Sequence, residues 1–121
     1  MAYNKGDKMQ NDTFFLIAEK FFKNCLEVSK AKGEEYTVGS GEKFTNFESV
    51  GERLNFSREE VLMVYLLKHI DSIRYYILHG TEASDEKIDG RILDAVNYLA
   101  LLYGMIYEKE HIEQLDKELE K

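Results

Sequence analysis

A chain of 121 residues with 44% hydrophobic and 12% aromatic residues can build one small packed domain. Its net charge of −7, from 16 Lys and Arg against 23 Asp and Glu, argues against general binding to nucleic-acid backbones, which needs a basic surface. No apolar run approaches the roughly 18 residues of a membrane span, and the lone cysteine, Cys25, excludes an internal disulfide framework and suits a reducing cytoplasm. Free nucleotides stay within reach of so acidic a chain, because a bound divalent metal reverses the local sign.

Residues 1–11 carry basic side chains without an apolar core, so they read as a disordered lead-in and not as a signal peptide. A single helical domain is expected over 12–121. Its first helix should run from Asp12 to Lys32, with Phe14, Ala18, Phe21, Cys25 and Val28 spaced four and three apart on one stripe and Gly33 as the stop. Cys25 within that stripe reads as a small buried hydrophobe, not a reactive thiol. From Gly33 to Asn55 the pattern is irregular, apart from a short helix over 45–53. Val38-Gly39-Ser40-Gly41 offers backbone N–H groups to a phosphate. It lacks the phosphate-loop spacing and a preceding strand, so a flexible turn is the reading.

Ser57-Arg58-Glu59-Glu60 is a capping box, with hydroxyl and carboxylate three residues apart. The helix it opens should reach His79 and stop at Gly80, which supplies a left-handed position. Leu62, Leu66, Ile70, Ile73 and Ile77 form its expected apolar face, flanked by Tyr65, Lys68, His69, Ser72 and Tyr76.

Ser84 can cap the last helix, expected from Asp85 to near Lys121. Ile88, Ile92, Ala95, Leu99, Leu102 and Ile106 make its front stripe, read as the core face. Asp94, Asn97, Leu101, Met105 and Glu108 point roughly 180° away. Leu101, Met105, Ile112, Leu115 and Leu119 continue that rear line, read as a seam for oligomer formation, with a coiled-coil-like tail from about 108. Gly90 and Gly104 on the rear side admit close approach of another element. With no strand of convincing length, the expected fold is an all-α bundle of three main helices plus a short one, ending in a long C-terminal helix and forming a homodimer or higher homo-oligomer.

A helix covered on two sides encloses its polar residues, and an enclosed carboxylate needs a partner, a metal or a ligand. The groups expected near that space are Lys68, His69, Arg91, Asp94, Asn97 and Tyr98, with Glu34, Glu35 and Tyr36 from the end of the first helix. One reading is a nucleotide pocket: Asp94 and other carboxylates for hydrated Mg²⁺, Lys68 and Arg91 for phosphate oxygens, Asn97 and Tyr98 for base or ribose. The other is a hydrogen-bonded network that only aligns helices, with Arg91 and Asp94 paired at i, i+3. Residue types alone leave the two level.

Four runs, Lys32-Gly33-Glu34-Glu35-Tyr36, Phe44-Thr45-Asn46-Phe47, Lys68-His69-Ile70-Asp71-Ser72-Ile73 and Arg91-Ile92-Leu93-Asp94-Ala95-Val96-Asn97-Tyr98-Leu99, resemble a family of small phage and prophage all-α proteins. These are grouped with nucleotide-modification-associated and MazG-like proteins, and the likeness covers about 28–107. It implies a helical homo-oligomer in the cytoplasm of a bacterial host, handling a nucleotide, with Mg²⁺-dependent nucleoside triphosphate pyrophosphohydrolysis as the MazG-like chemistry. That chemistry uses paired acids, E-x-x-E on one helix and E-x-x-D on another. Here the first helix offers isolated Glu19 and Glu27, and the centre of the last helix offers Asp94 alone. The missing quartet favours binding over hydrolysis and leaves the catalytic residues unassigned. A different class of function is a non-enzymatic phage protein that captures a host protein or sequesters a signalling nucleotide.

Overall fold

The computed structural model describes residues 8–36 and 42–119. Most of the expected lead-in and the Val38-Gly39-Ser40-Gly41 turn lie outside the described residues. The chain forms four helices, α1 (Asn11–Tyr36), α2 (Thr45–Leu54), α3 (Arg58–His79) and α4 (Ile88–Leu119), with no strand among the described residues.

Local chemistry accounts for most of these limits. At α3 the Ser57 hydroxyl accepts from the Glu60 N–H at 3.1 Å, and the Ser57 N–H donates to the Glu60 carboxylate at 3.0 Å. Gly80, at φ 72°, closes the helix by donating its N–H to the Tyr76 carbonyl at 2.8 Å. α2 ends on Asn55 at φ 60°, after which the Phe56 N–H returns to the Gly51 carbonyl at 2.9 Å. A Cβ at position 51 would lie 2.5 Å from the Phe56 carbonyl oxygen, so only glycine fits that turn.

Two limits differ from the sequence reading. α1 passes through Gly33 to Tyr36, because a glycine with helical backbone only weakens a helix by about 1 kcal/mol relative to alanine. Its bare Cα instead leaves room for the Lys43 ammonium, which would stand 2.9 Å from a Cβ there. α4 begins at Ile88 and not Asp85: Ser84 Oγ accepts from the Glu86 N–H at 3.3 Å, making a turn first. At His111 (φ −128°, ψ 21°) the backbone leaves helical geometry, so the tail is a separate segment. Ile112 in that tail is exposed, and the side chains of Leu115 and Leu119 lie outside the described set.

The core joins Phe44 and Phe47 at the start of α2, Val61 and Leu62 of α3, and Met105 of α4. Val50, Tyr65, Tyr98, Leu101 and Leu102 pack round it. α3 and α4 are antiparallel, since Arg58 reaches Met105 and Glu108 while His69 meets Asp94. α1 lies antiparallel on α4, where Asn97 Nδ2 donates to the Cys25 carbonyl at 3.0 Å. Cys25 is buried, and burial pushes its thiol pKa up.

The core therefore takes the rear line of α4, opposite to the expected side. Met105 is fully buried and Leu101 partly so, which makes them intrasubunit packing and not an oligomer seam. On the front stripe Ala95 is buried, but Ile92, Leu99 and Ile106 are 39%, 52% and 44% exposed. The cause is α2, whose Phe44 and Phe47 cover the rear; the Phe44 ring sits 3.1 Å from where a Gly104 Cβ would be. Gly90 faces open space. On α3, Leu62 and Leu66 are buried as expected, while Ile70 and Ile77 are exposed. On α1, Phe14 is also exposed, although Cys25 from the same stripe is buried.

Candidate functional site

All four helices and Lys43, just before α2, line a cavity of about 330 Å³, at the lower end of the range for small-molecule sites. One wall is aromatic. Tyr98 stands edge-on to Phe47 at 6.4 Å between ring centroids and tilted against Tyr65 at 6.4 Å and His69 at 5.3 Å. The other end is cationic, with exposed Lys32 and Lys43 side chains and the Gly33 backbone. Asn46 and Asn97 line it as well.

Asp94 lies where these walls meet. Its Oδ1 is 3.3 Å from Lys32 Nζ and its Oδ2 is 3.9 Å from His69 Nδ1, and its side chain is 23% exposed. The His69 contact is too long for a strong hydrogen bond. The same Nδ1 lies 3.3 Å from Arg91 Nη1. A guanidinium can only donate, so His69 Nδ1 accepts and the proton sits on Nε2. Burial lowers the His69 pKa; the Asp94 charge pulls the other way without overcoming it. A neutral imidazole thus faces a carboxylate already held by a lysine.

The expected site residues divide. His69, Asp94, Asn97 and Tyr98 line the cavity together. Lys68 does not: it is exposed on α3 and its carbonyl accepts from Ser72 Oγ. Arg91 stands behind the wall, with Nη1 on His69, Nη2 on Ser84 at 3.4 Å and Nε on Glu86 at 3.2 Å, so it orients the imidazole. It meets His69 rather than Asp94 directly. The side chains of Glu34, Glu35 and Tyr36 lie outside the described set. Sequence reasoning assigned no role to Lys32, Lys43, Asn46, Phe47 or Tyr65 in the pocket, although Lys32 stands in the first of the four quoted runs and Asn46 and Phe47 in the second. Each of those four runs delivers at least one residue to this single cavity.

For a metal the donor set is thin. Asp94 is the one acid lining the cavity among the described residues, and no group of three or more His, Cys, Asp or Glu is gathered there or elsewhere among them. Mg²⁺ takes oxygen ligands, and one lysine-paired carboxylate beside an imidazole does not make such a site. What the arrangement can do is grip a flat ring against Tyr98, Tyr65 and Phe47 while two ammonium groups take an anionic substituent. No helix among the described residues is long and apolar enough to cross a membrane. No family model matches the chain, and neither a curated protein nor a solved structure was found similar to it.

Proposed function

We propose that this protein binds a nucleotide, or a similar ring-bearing phosphorylated ligand, in the cavity between α1, α3 and α4, and that it binds without hydrolysing. The observation that carries the reading is the pairing, within one small space, of an aromatic wall with Lys32 and Lys43. A base has a π-face for Tyr98 and its neighbours, and each phosphate oxygen has a use for an ammonium donor. Asp94 holds Lys32 at 3.3 Å and sets where that cation stands before a ligand arrives. The small phage-type proteins that the four sequence runs resemble point to the same ligand class. The protein works as a homo-oligomer in this reading, because much apolar surface on α1, α3 and α4 is left open.

The test is a panel of nucleoside mono-, di- and triphosphates with and without Mg²⁺, read by thermal shift and by release of pyrophosphate or phosphate. A rise in Tm with at least one nucleotide, lost in Lys32→Ala and Tyr98→Ala and unaccompanied by turnover, is the expected result. Turnover abolished by Asp94→Ala would replace binding by the pyrophosphohydrolase reading. Silence across the whole panel would remove the nucleotide altogether.

A further inference from the structure

The front of α4 presents Ile92, Val96, Leu99, Tyr103 and Ile106, spaced four, three, four and three. That is the alternation of a heptad seam, not merely an amphipathic face. Four of the five are 39% to 69% exposed, and Val96 is partly so. The neighbouring α3 carries the same spacing at Met63, Leu67, Ile70, Arg74 and Ile77, with its four apolar members 41% to 74% exposed. Both stripes turn away from the cavity. The α4 residues lining it, Asp94, Asn97, Tyr98 and Leu101, lie on the opposite side of the helix at 100° per residue. From residue 92 to residue 107 the only charged side chain is Asp94, which faces the cavity, so the stripe from Ile92 to Ile106 bears no charge on a chain of net −7, and the acidic Asp89 and Glu110 bound it at the next positions of the same spacing.

From these observations we infer that the joint α3–α4 front is the contact surface for a second copy of this chain, forming a two-fold bundle with two helices from each copy. The inference deepens the homo-oligomer part of the functional reading and is independent of what the cavity binds. Two features select the same chain as occupant. First, a heptad seam is completed by another helix with matching knobs and holes, and two antiparallel helices with this spacing give a surface that can meet its own two-fold image. Second, an α4 stripe without charges between Ile92 and Ile106 gives a different, charged partner little to recognise, whereas Arg74 as the single polar member of the α3 stripe suits the setting of register between copies.

The experiment is sedimentation equilibrium or light scattering on the full chain over a dilution series reaching on the order of 100 µM, for the wild type, Leu67→Glu, Leu99→Glu and, as control, Leu54→Glu. Leu54 is 58% exposed on α2, outside both stripes. Because all three sites are open to solvent, far-UV circular dichroism should stay unchanged. The expected result is a dimeric mass for wild type and control, and a Kd raised at least about 100-fold in each stripe variant. A wild type that is monomeric throughout overturns both the surface and the homo-oligomer. A dimer unaffected by either stripe substitution overturns this surface alone. Capture of a different protein by monomeric wild type, lost in Leu99→Glu, assigns the face to a foreign partner and overturns self-association. The nucleotide thermal shift measured on Leu99→Glu separates the two readings: its persistence in a monomer leaves the pocket standing whatever becomes of the interface.

Discussion

Two polar clusters bridge α3 and α4, one at each end of their contact, and they are built in opposite ways. At the α2 end, the Arg58 side chain is 15% exposed and each of its three nitrogens is bonded. Nη1 bonds Glu108 at 2.8 Å and Glu48 at 3.1 Å, Nε bonds Glu59 at 3.3 Å, and Nη2 donates to the Met105 carbonyl at 3.0 Å. Its guanidinium lies 5.0 Å over the Phe44 ring. Burial works against the charge there, but the hydrogen bonds that Arg58 donates to Glu108, Glu48 and Glu59 outweigh it, so the pKa is raised. At the other end Asp94 has one half-exposed lysine and a distant imidazole, and it lines the cavity of about 330 Å³. A cluster whose groups satisfy one another holds the fold; a cluster that leaves room beside a loosely held charge can accept something else.

The first way to break that contrast is Arg58→Met. It keeps the stem but leaves the Met105 carbonyl and a ring of three glutamates without their cation. We expect a loss of roughly 2 kcal/mol, below the usual cost of breaking a buried pair because the glutamates are 27% to 50% exposed. Urea unfolding followed by circular dichroism measures it. Asp94→Asn at the open end should change stability by no more than about 0.5 kcal/mol, since Lys32 is 46% exposed and the pair is screened. Its effect should fall on the ligand: with Lys32 released, the nucleotide-induced rise in Tm should differ from wild type by more than the change in the unliganded protein. Equal stability losses at the two ends would erase the distinction.

How much of this was legible beforehand follows from which signals are local. The limits of α3 were, because Ser57 with Glu60 and the left-handed Gly80 act within one helical turn. His69, Asp94, Asn97 and Tyr98 were also legible as a group, since polar residues on apolar stripes stand out. The assignment of α4's faces was not. Both sides are apolar, and periodicity cannot say which side α2 will cover; only the packing of Phe44 and Phe47 on Met105 and Gly104 decides it. Lys68 looked like the pocket's cation because it precedes His69, but one residue is 100° of rotation. Lys32, 62 positions from Asp94, takes that place. Arg58 read as part of a helix cap, and nothing near it in the chain announces that its guanidinium reaches Met105 and Glu108.

The smallest expected effect sharpens the contrast through pH. His69 meets Asp94 from α4, and the charges acting on it also include Arg91 and Glu86 from the α3–α4 connection and the start of α4, and Lys68 on its own helix. The balance, led by burial, places its folded pKa below the unfolded value near 6.5. The unfolded chain therefore takes up a proton at a pH where the folded chain still refuses it. Stability from the neutral imidazole is complete above about 6.5 and declines as pH falls through that value towards the lower folded pKa. Arg58 does not titrate across this range, so the closed end contributes no such slope. Tm measured from pH 7.5 to 5 should fall more steeply for wild type than for His69→Gln, which cannot take up the proton. Parallel curves would mean that His69 is as free to charge in the folded protein as in the unfolded one, and the open end would then lack the neutral wall inferred for it.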